Sequence, residues 1–304
     1  MPSGVLLLDK PLGLSSNAAL QRVRTLFGRV KGGHVGSLDP LASGMLPICL
    51  GEATKVAGDI LAGRKCYSFS IALGSATTTG DAEGAVTHAR PVPPLSAAHV
   101  TAVLQRFPGV LEQVPPMYSA IKQGGQPLYR LARAGVSVPR APRRIEIFAL
   151  TLQGFTPTHL DLEVLCSKGT YVRVLAADIA EQLGTAGHVA SLRRLYVEPF
   201  AGQTMHTLES LEGLAQGAGA PPLLPIDVAL AHLPAFRLSN ADTQRVLRGQ
   251  RVASEAREAA PRVRLYGADG RFLGLGEADA SGGLQPRRLI VVAAPDFAPD
   301  EGLS

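Results

Sequence analysis

An α+β fold, built on a mixed, largely antiparallel central sheet with a smaller β-rich domain at the C-terminal end, is predicted by three observations. Strand-like and helix-like periods interleave along the 304 residues without the regular βαβ repeat of a doubly wound sheet. Residues 66–73 alternate, with Tyr67, Phe69, Ile71 and Leu73 on one face and Cys66, Ser68, Ser70 and Ala72 on the other, which is the period of a half-buried strand. The final part of the chain places Asp269-Gly270 between two short apolar-rich runs, a hairpin signal.

The elements follow in order. Gly4 to Asp9 reads as a buried strand, Lys10-Pro11-Leu12-Gly13 as a turn, and Ser15, Ser16 and Asn17 as N-cap candidates for a helix through Phe27. Further strands are expected over 145–153, 160–166 and 170–174. Helices are expected over 97–107, over 174–183 ending at Gly184, and over 240–248 ending at Gly249. Arg262 to Tyr266, Arg271 to Gly276 and Leu284 to Val292 supply the strands of the C-terminal domain. The expected division is a larger domain over 1–198, a helical or connecting segment over 199–236, a β-rich domain over 237–294 and a flexible tail over 295–304.

Composition narrows the function classes. The length suffices for two domains with sizeable cores. The longest apolar runs, such as Val5 to Leu8 and Leu289 to Ala294, fall far short of the roughly 20 residues that span a bilayer. No basic segment followed by an apolar core opens the chain, so a cytoplasmic location without a membrane partner is expected. Cys49, Cys66 and Cys166 are odd in number and far apart, which fits a reducing compartment, and the seven histidines show no zinc-ligand spacing, so no metal is expected.

The formal charge of +5 is unevenly spread. Residues 121–150 carry Lys122, Arg130, Arg133, Arg140, Arg143 and Arg144 against Glu146 alone, residues 199–236 hold no Lys or Arg, and residues 237–294 return with ten arginines against six acids. Two basic patches flanking an acidic spacer point to a phosphate backbone, although each patch alone also fits a solvated face.

Chemistry concentrates in Gly33-His34-Val35-Gly36-Ser37-Leu38-Asp39-Pro40-Leu41-Ala42-Ser43-Gly44-Met45-Leu46-Pro47. Glycines permit close approach of another backbone, and Pro40 keeps Asp39 out of the helical region, so the loop presents one carboxylate. The same spacing also suits a plain Asx turn. No phosphate-binding Gly-x-x-x-x-Gly-Lys motif, Gly-x-Gly-x-x-Gly fingerprint or Gly-x-Ser-x-Gly elbow occurs, and Ser37, His34 and Asp39 lie too close in sequence to line up as a triad.

This loop, continuing to Cys49-Leu50-Gly51-Glu52-Ala53-Thr54-Lys55, resembles the signature of the TruB family of tRNA pseudouridine synthases. Leu7-Leu8-Asp9-Lys10-Pro11, Lys65-x-Tyr67, Met117-Tyr118-Ser119-Ala120, Cys166 to Arg173 and Leu192-Arg193-Arg194-Leu195 resemble family motifs in family order, and residues 237–293 resemble its PUA-type RNA-binding domain. The resemblance implies a pseudouridine synthase fold and isomerisation of uridine to pseudouridine in the TΨC stem-loop of tRNA, at position 55, with no cofactor, no metal and no obligate protein partner. It implies Asp39 as the catalytic carboxylate, Arg173 as its partner, and Tyr67 stacked on the target base. His34 would turn the nucleotide out, and Tyr171 and Leu192 would line the pocket. Because Tyr171 and Arg173 differ by two, an extended segment is expected to aim both at one pocket. Lys122, Arg130, Arg143, Arg144 and Arg193 are the expected RNA-backbone contacts. A guide-RNA-dependent synthase subunit and a tRNA-folding chaperone with incidental catalysis are the rival readings.

Overall fold

The computed structural model describes residues 2–217, 219–253 and 259–290. The tail expected at 295–304 and the last two residues of the strand expected over 284–292 lie outside the described residues.

Strand β1 (Gly4–Lys10) grows from the apolar run Val5 to Leu8. Leu6 and Leu8 enter one core and Val5 and Leu7 another, so both faces are covered and a continuous apolar run is required instead of an alternation. Ser15 caps α1 (Ser16–Leu26), its hydroxyl accepting from the Ala18 N–H at 3.1 Å. Next come β2 (Gly32–His34), β3 (Ala42–Leu50), a 3-10 turn, α2 (Ala57–Ala62) and β4 (Lys65–Leu73). A small hairpin of β5 (Ser75–Thr77) and β6 (Val86–Ala89) precedes α3 (Ala97–Leu104) and β7 (Gly109–Gln113). An excursion of β8 (Lys122–Gln123), β9 (Gln126–Pro127) and α4 (Leu128–Arg133) leads to β10 (Arg143–Phe155), β11 (His159–Cys166), α5 (Val172–Gln182) and β12 (Gly187–Val197).

The central sheet runs β1-β3-β12-β4-β11-β10-β7, with β2 also on β3. All its pairings are antiparallel except β12 on β3, so the sheet is mixed and largely antiparallel as the sequence predicts. That one parallel contact sets Leu192 to Arg194 beside Ala42 to Gly44, immediately after the Asp39 loop. On β4, Phe69, Ile71 and Leu73 enter the larger core with Tyr67 packed against it, the face read from the alternation.

One expected strand is wrong. Residues 172–174 belong to α5, and only Tyr171, its N-cap, is extended. Val172, Leu175, Ala176, Ile179 and Ala180 are buried at helical spacing, so the helical period reaches two residues further back than residue 174 and overrides the short alternation. The remaining predicted helices are present as α1, α3 and, at 240–247, α7 (Asn240–Leu247). Among the described residues no helix is long and apolar enough to cross a membrane.

Residues 199–236 contain α6 (Leu208–Gln216) and a 3-10 turn over Ile226–Leu230, and they bridge the backbone of β1 at Val5–Leu224 and Leu8–His206. Beyond them β13 (Ala235–Arg237), β14 (Val252–Ala253), β15 (Ala260–Tyr266), β16 (Phe272–Ala278) and β17 (Gly283–Leu289) form a second sheet in the order β13-β15-β16-β17-β14. This β-rich domain starts at Ala235, two residues before the expected boundary. It is joined to the larger domain by shared core, since Leu275 and Ile290 pack in one cluster with Val5, Leu7 and Phe200. Arg262 pairs with Asp59, and Arg288 donates to the Lys55 carbonyl at 2.8 Å.

Candidate active site

The loop between β2 and β3 is fixed on four sides. Ser16 Oγ accepts from the Leu38 N–H at 2.8 Å and donates to the Leu38 carbonyl at 3.0 Å. The Gly13 N–H donates to the Pro40 carbonyl at 2.8 Å, and the Ala42 N–H closes a turn on the Asp39 carbonyl at 3.0 Å. Arg194 donates through Nη2 to the Gly36 carbonyl and through Nε to the Met45 carbonyl, each at 2.7 Å. Gly44 is needed where β12 crosses: its φ is +97°, and a Cβ there would lie 2.2 Å from the Arg194 carbonyl oxygen.

Asp39 stands at the tip of this loop against Arg173. Arg173 Nη2 lies 3.0 Å from Asp39 Oδ2 and donates to the Tyr118 carbonyl at 2.7 Å, while Nη1 donates to the Thr79 carbonyl at 2.7 Å and lies 3.7 Å from Asp81 Oδ2. The guanidinium side chain is 7% exposed and the Asp39 side chain 43%. The open surface of Asp39 faces two cavities. One, of about 290 Å³, is lined by Asp39, Tyr67, Tyr171, Arg173, Leu192 and Arg194. The other, of about 620 Å³, is lined by His34, Asp39, Asp81, Tyr129, Arg133 and Arg173. Asp39 and Arg173 stand in their common wall, with Ser37, Leu38, Ser119 and Ala120.

Burial pushes the Asp39 carboxyl above its ordinary value; Arg173 opposes this, Asp81 adds to it and Lys10 opposes it. Burial also raises the Tyr67 phenol, with the Arg194 charge, directly opposite Tyr67 across β12 and β4, opposing the rise. It lowers the His34 imidazole, with the Arg194 charge acting in the same direction. The site therefore offers one carboxylate with a fixed guanidinium partner, a neutral phenol and a neutral imidazole.

Five of the sequence-predicted residues, Asp39, Tyr67, Tyr171, Arg173 and Leu192, meet in the smaller cavity, and His34 lies in the larger one. The delivery of Tyr171 and Arg173 differs from the expectation. Tyr171 is the N-cap of α5, its backbone clamped by Gln113, which accepts from the Tyr171 N–H at 3.0 Å and donates to its carbonyl at 3.3 Å. Arg173 comes from the first turn of the helix, and the two share the cavity because that turn faces it.

Of the expected backbone contacts, Lys122, Arg130, Arg143 and Arg144 are exposed on the β8 to β10 side, outside both cavities. Arg193 is held instead by a two-pronged pair to Asp9, at 2.9 and 2.8 Å. Asp81 is absent from the sequence reading, and Lys10 and Arg194 enter it only inside motifs, with no role. Asp81 is 3% exposed, accepting from Thr79 Oγ1 at 2.5 Å and from the Glu83 N–H at 3.1 Å. Lys10 is fully buried, donating to the Pro11 and Leu14 carbonyls, and burial lowers its ammonium to about 8. Arg194 was legible in principle, because in a strand it shares the face of Leu192 and not of Arg193.

Comparison with known proteins sets this geometry in a family. Residues 24–172 match the TruB family pseudouridylate synthase N-terminal domain, residues 173–231 the tRNA pseudouridylate synthase B C-terminal domain, and residues 234–290 a pseudouridine synthase II TruB C-terminal domain. A tRNA pseudouridine synthase B of Dechloromonas aromatica (strain RCB) is 47% identical over 290 residues, 95% of this chain and 96% of the relative. The chain belongs to the TruB family. A tRNA pseudouridine synthase B of Pseudomonas fluorescens (strain Pf0-1) is likewise 48% identical, covering 95% of each chain. A solved Cbf5-Nop10-Gar1 complex has a chain of the same fold, with TM-score 0.71 and 21% identity over 95% of this chain and 85% of that one. As a TruB-family protein the chain is a pseudouridine synthase, with the mixed sheet and β-rich C-terminal domain expected of one.

Proposed function

We propose that this chain isomerises uridine to pseudouridine at position 55, in the TΨC stem-loop of tRNA, as a stand-alone synthase. The observation that carries the reading is the Asp39–Arg173 pair at the common wall of the two cavities, beside Tyr67 and Leu192. The isomerisation must break N1–C1′, turn the uracil while it is held, and join C5 to C1′. A stacked base cannot do this, so the nucleotide leaves the stack, at a cost of roughly a few kcal/mol that is smallest in a loop. The larger cavity, with His34 at one wall and Arg133 and Tyr129 at another, receives the splayed loop, and the smaller cavity clamps the base between Tyr67 and Leu192.

Asp39 acts ionised. Whether its oxygen attacks C1′ or removes the C2′ proton to give a glycal, the step needs a negative carboxylate facing the ribose, and Arg173 keeps it charged and aimed. Tyr67 and Leu192 hold the detached base until C5 faces C1′. Lys122, Arg130, Arg143 and Arg144 meet phosphates of the stem, and the C-terminal domain grips tRNA away from the reacting uridine. The sequence relatives named tRNA pseudouridine synthase B support tRNA as substrate. The reaction needs no redox partner or second substrate, because it exchanges the N1–C1′ and C5–H bonds for C5–C1′ and N1–H.

The test is incubation with unmodified tRNA tritiated at uridine C5, followed by tritium release and mapping of the modified site. Release from one uridine of the TΨC loop supports the reading. Turnover only with an added guide RNA, or at another tRNA position, would replace it.

A further inference from the structure

Arg194 is a buried cation that the reaction as described leaves unused. Its side chain is among the largest fully buried ones, at 1% exposed, in the wall of the 290 Å³ cavity. Its hydrogen-bond partners are the Gly36 and Met45 carbonyls, both neutral, and Tyr67 stands directly opposite it on β4. Among the described residues no carboxylate pairs with it, whereas Arg173 has two acids. A guanidinium removed from water without a counter-ion is costly, and an apolar side chain on the same strand face would avoid that cost.

Its surroundings increase the imbalance. Lys65, 5% exposed, donates to the Leu61 and Gly63 carbonyls and lines the same cavity. Burial lowers the Lys65 ammonium to about 8, with Arg194 and Lys168 acting in the same direction. The charged groups of the cavity are then Lys65, Lys168, Arg173 and Arg194 against Asp39 alone. A positive wall behind the base clamp fits an anion formed only during the reaction.

We propose that Arg194 is a positioning residue that holds the Asp39 loop in register, and whose uncompensated charge, set directly behind Tyr67, stabilises the uracil anion released when N1–C1′ breaks. The inference rests on the isomerisation proposed above. In that step the bonding electron pair stays on the base, giving a uracil monoanion delocalised over N1, O2 and O4. C1′ is satisfied either by a bond to an Asp39 oxygen or by loss of the C2′ proton to Asp39. When C5 bonds to C1′, the bond from C1′ to Asp39 breaks, or Asp39 returns its proton to C2′; the C5 proton then leaves and N1 takes a proton, so Asp39 is restored and no outside reactant is consumed. The stabilisation applies to the departing base and not to bound uridine, so it acts on rate more than on affinity.

The test compares Arg194→Gln and Arg194→Lys with the wild-type chain in saturated single-turnover assays on full tRNA, carrying either uridine or 5-fluorouridine at the target. Fluorine stabilises the base anion intrinsically, so a missing protein charge matters less. Removing one preorganised donor from a developing anion costs roughly 10²–10³-fold, and a charge held on backbone carbonyls in the wall, acting without a direct hydrogen bond to the base, reduces this to an expected ~10- to 100-fold loss in Arg194→Gln. Arg194→Lys should recover several-fold of it. With 5-fluorouridine, followed by disappearance of the N-linked nucleoside after digestion, the wild-type to Gln ratio should shrink at least threefold, while tRNA affinity is unchanged.

The ratio of the two substrates within one variant is independent of how much of that variant is folded, so it discriminates even if Arg194→Gln is unstable. An equal loss on both substrates would reduce Arg194 to a structural staple and overturn the proposal, as would a wild-type rate for Arg194→Gln. Failure of the wild-type chain to turn over tRNA would instead remove the underlying reaction.

Discussion

Arg173→Lys tests the centre of the site. Arg173 donates to two carbonyls at 2.7 Å and meets Asp39 at 3.0 Å and Asp81 at 3.7 Å, four directions served by one planar fork. An ammonium is a point charge on a shorter reach and cannot satisfy both carbonyls and both acids. Losing one charged hydrogen bond costs about 1.5–3 kcal/mol, and the neighbouring cavities admit water to the abandoned group, so about 2–3 kcal/mol of stability should go. At about 2 °C per kcal/mol for a long chain, the melting temperature should fall by about 4–6 °C. The kinetic effect should be larger than this modest destabilisation suggests. A displacement of 1 Å in a reacting group costs on the order of 10²-fold, and Asp39 would be free to move by that much. The assay is single-turnover tritium release at saturating enzyme and a temperature well below the melt, with a melt recorded in parallel. A variant that loses its 4–6 °C but reacts at the wild-type rate would refute the claim that the fork aims Asp39.

Asp39→Asn should abolish isomerisation while keeping tRNA binding, and it should melt higher than wild type at neutral pH. Burial raises the folded-state pKa of Asp39, so the folded chain binds the extra proton, and the resulting stability is present at low pH and lost as pH rises through that pKa. The amide lacks this loss, and the gap in melting temperature should close on acidification; the acid limb of the wild-type rate should lie above the ordinary Asp value. Asp81→Asn should slow single turnover about tenfold, because Asp81 lies 3.7 Å from Arg173 and acts on Asp39 through it; an unchanged rate would remove it from the site. Arg143→Ala or Arg144→Ala should flatten the slope of log K for tRNA against log salt by about 0.7–0.9, measured by filter binding, and weaker affinity at an unchanged slope would mean packing. Deleting residues 237–304 should lower the melting temperature and promote aggregation, because Leu275 and Ile290 leave the core shared with Val5 and Leu7; an intact melt would show that the interface contributes little.

Much of the sheet was legible because its strands carry their own periods: the β4 alternation and the β1 apolar run each state how many faces are covered. Asp39 was legible through its breakers, since a carboxylate before proline in a glycine-rich loop has few conformations. Arg173 was legible as a residue but not as a position. Two residues two apart look extended, and only the buried set from Val172 to Ala180 reveals the helix that carries one of them. Asp81 left almost no trace in the chain. Its role comes from a turn at Gly80, which sets Thr79 and Asp81 against a helix more than ninety residues away in sequence. Arg193 and Arg194 show the opposite failure: the strand period was available, and following it inward from Leu192 selects Arg194 for the cavity and leaves Arg193 to Asp9.

On the function proposed above, the C-terminal domain grips tRNA as a docked body. A domain on a flexible linker would add affinity only through its effective concentration near the stem. This one is docked, with Leu275 and Ile290 in the core beneath β1, Arg262 on Asp59 and Arg288 on the Lys55 carbonyl. The same β1 supplies Lys10 and Asp9, and pairs along its length with β3, which follows the Asp39 loop. On that reading, contacts that the domain makes with tRNA meet the reacting centre through the paired strands β1 and β3, and the two domains already share a core. Binding energy gathered far from the uridine is then not spent on ordering the two domains relative to each other, and it is available for turning the nucleotide out of its stack.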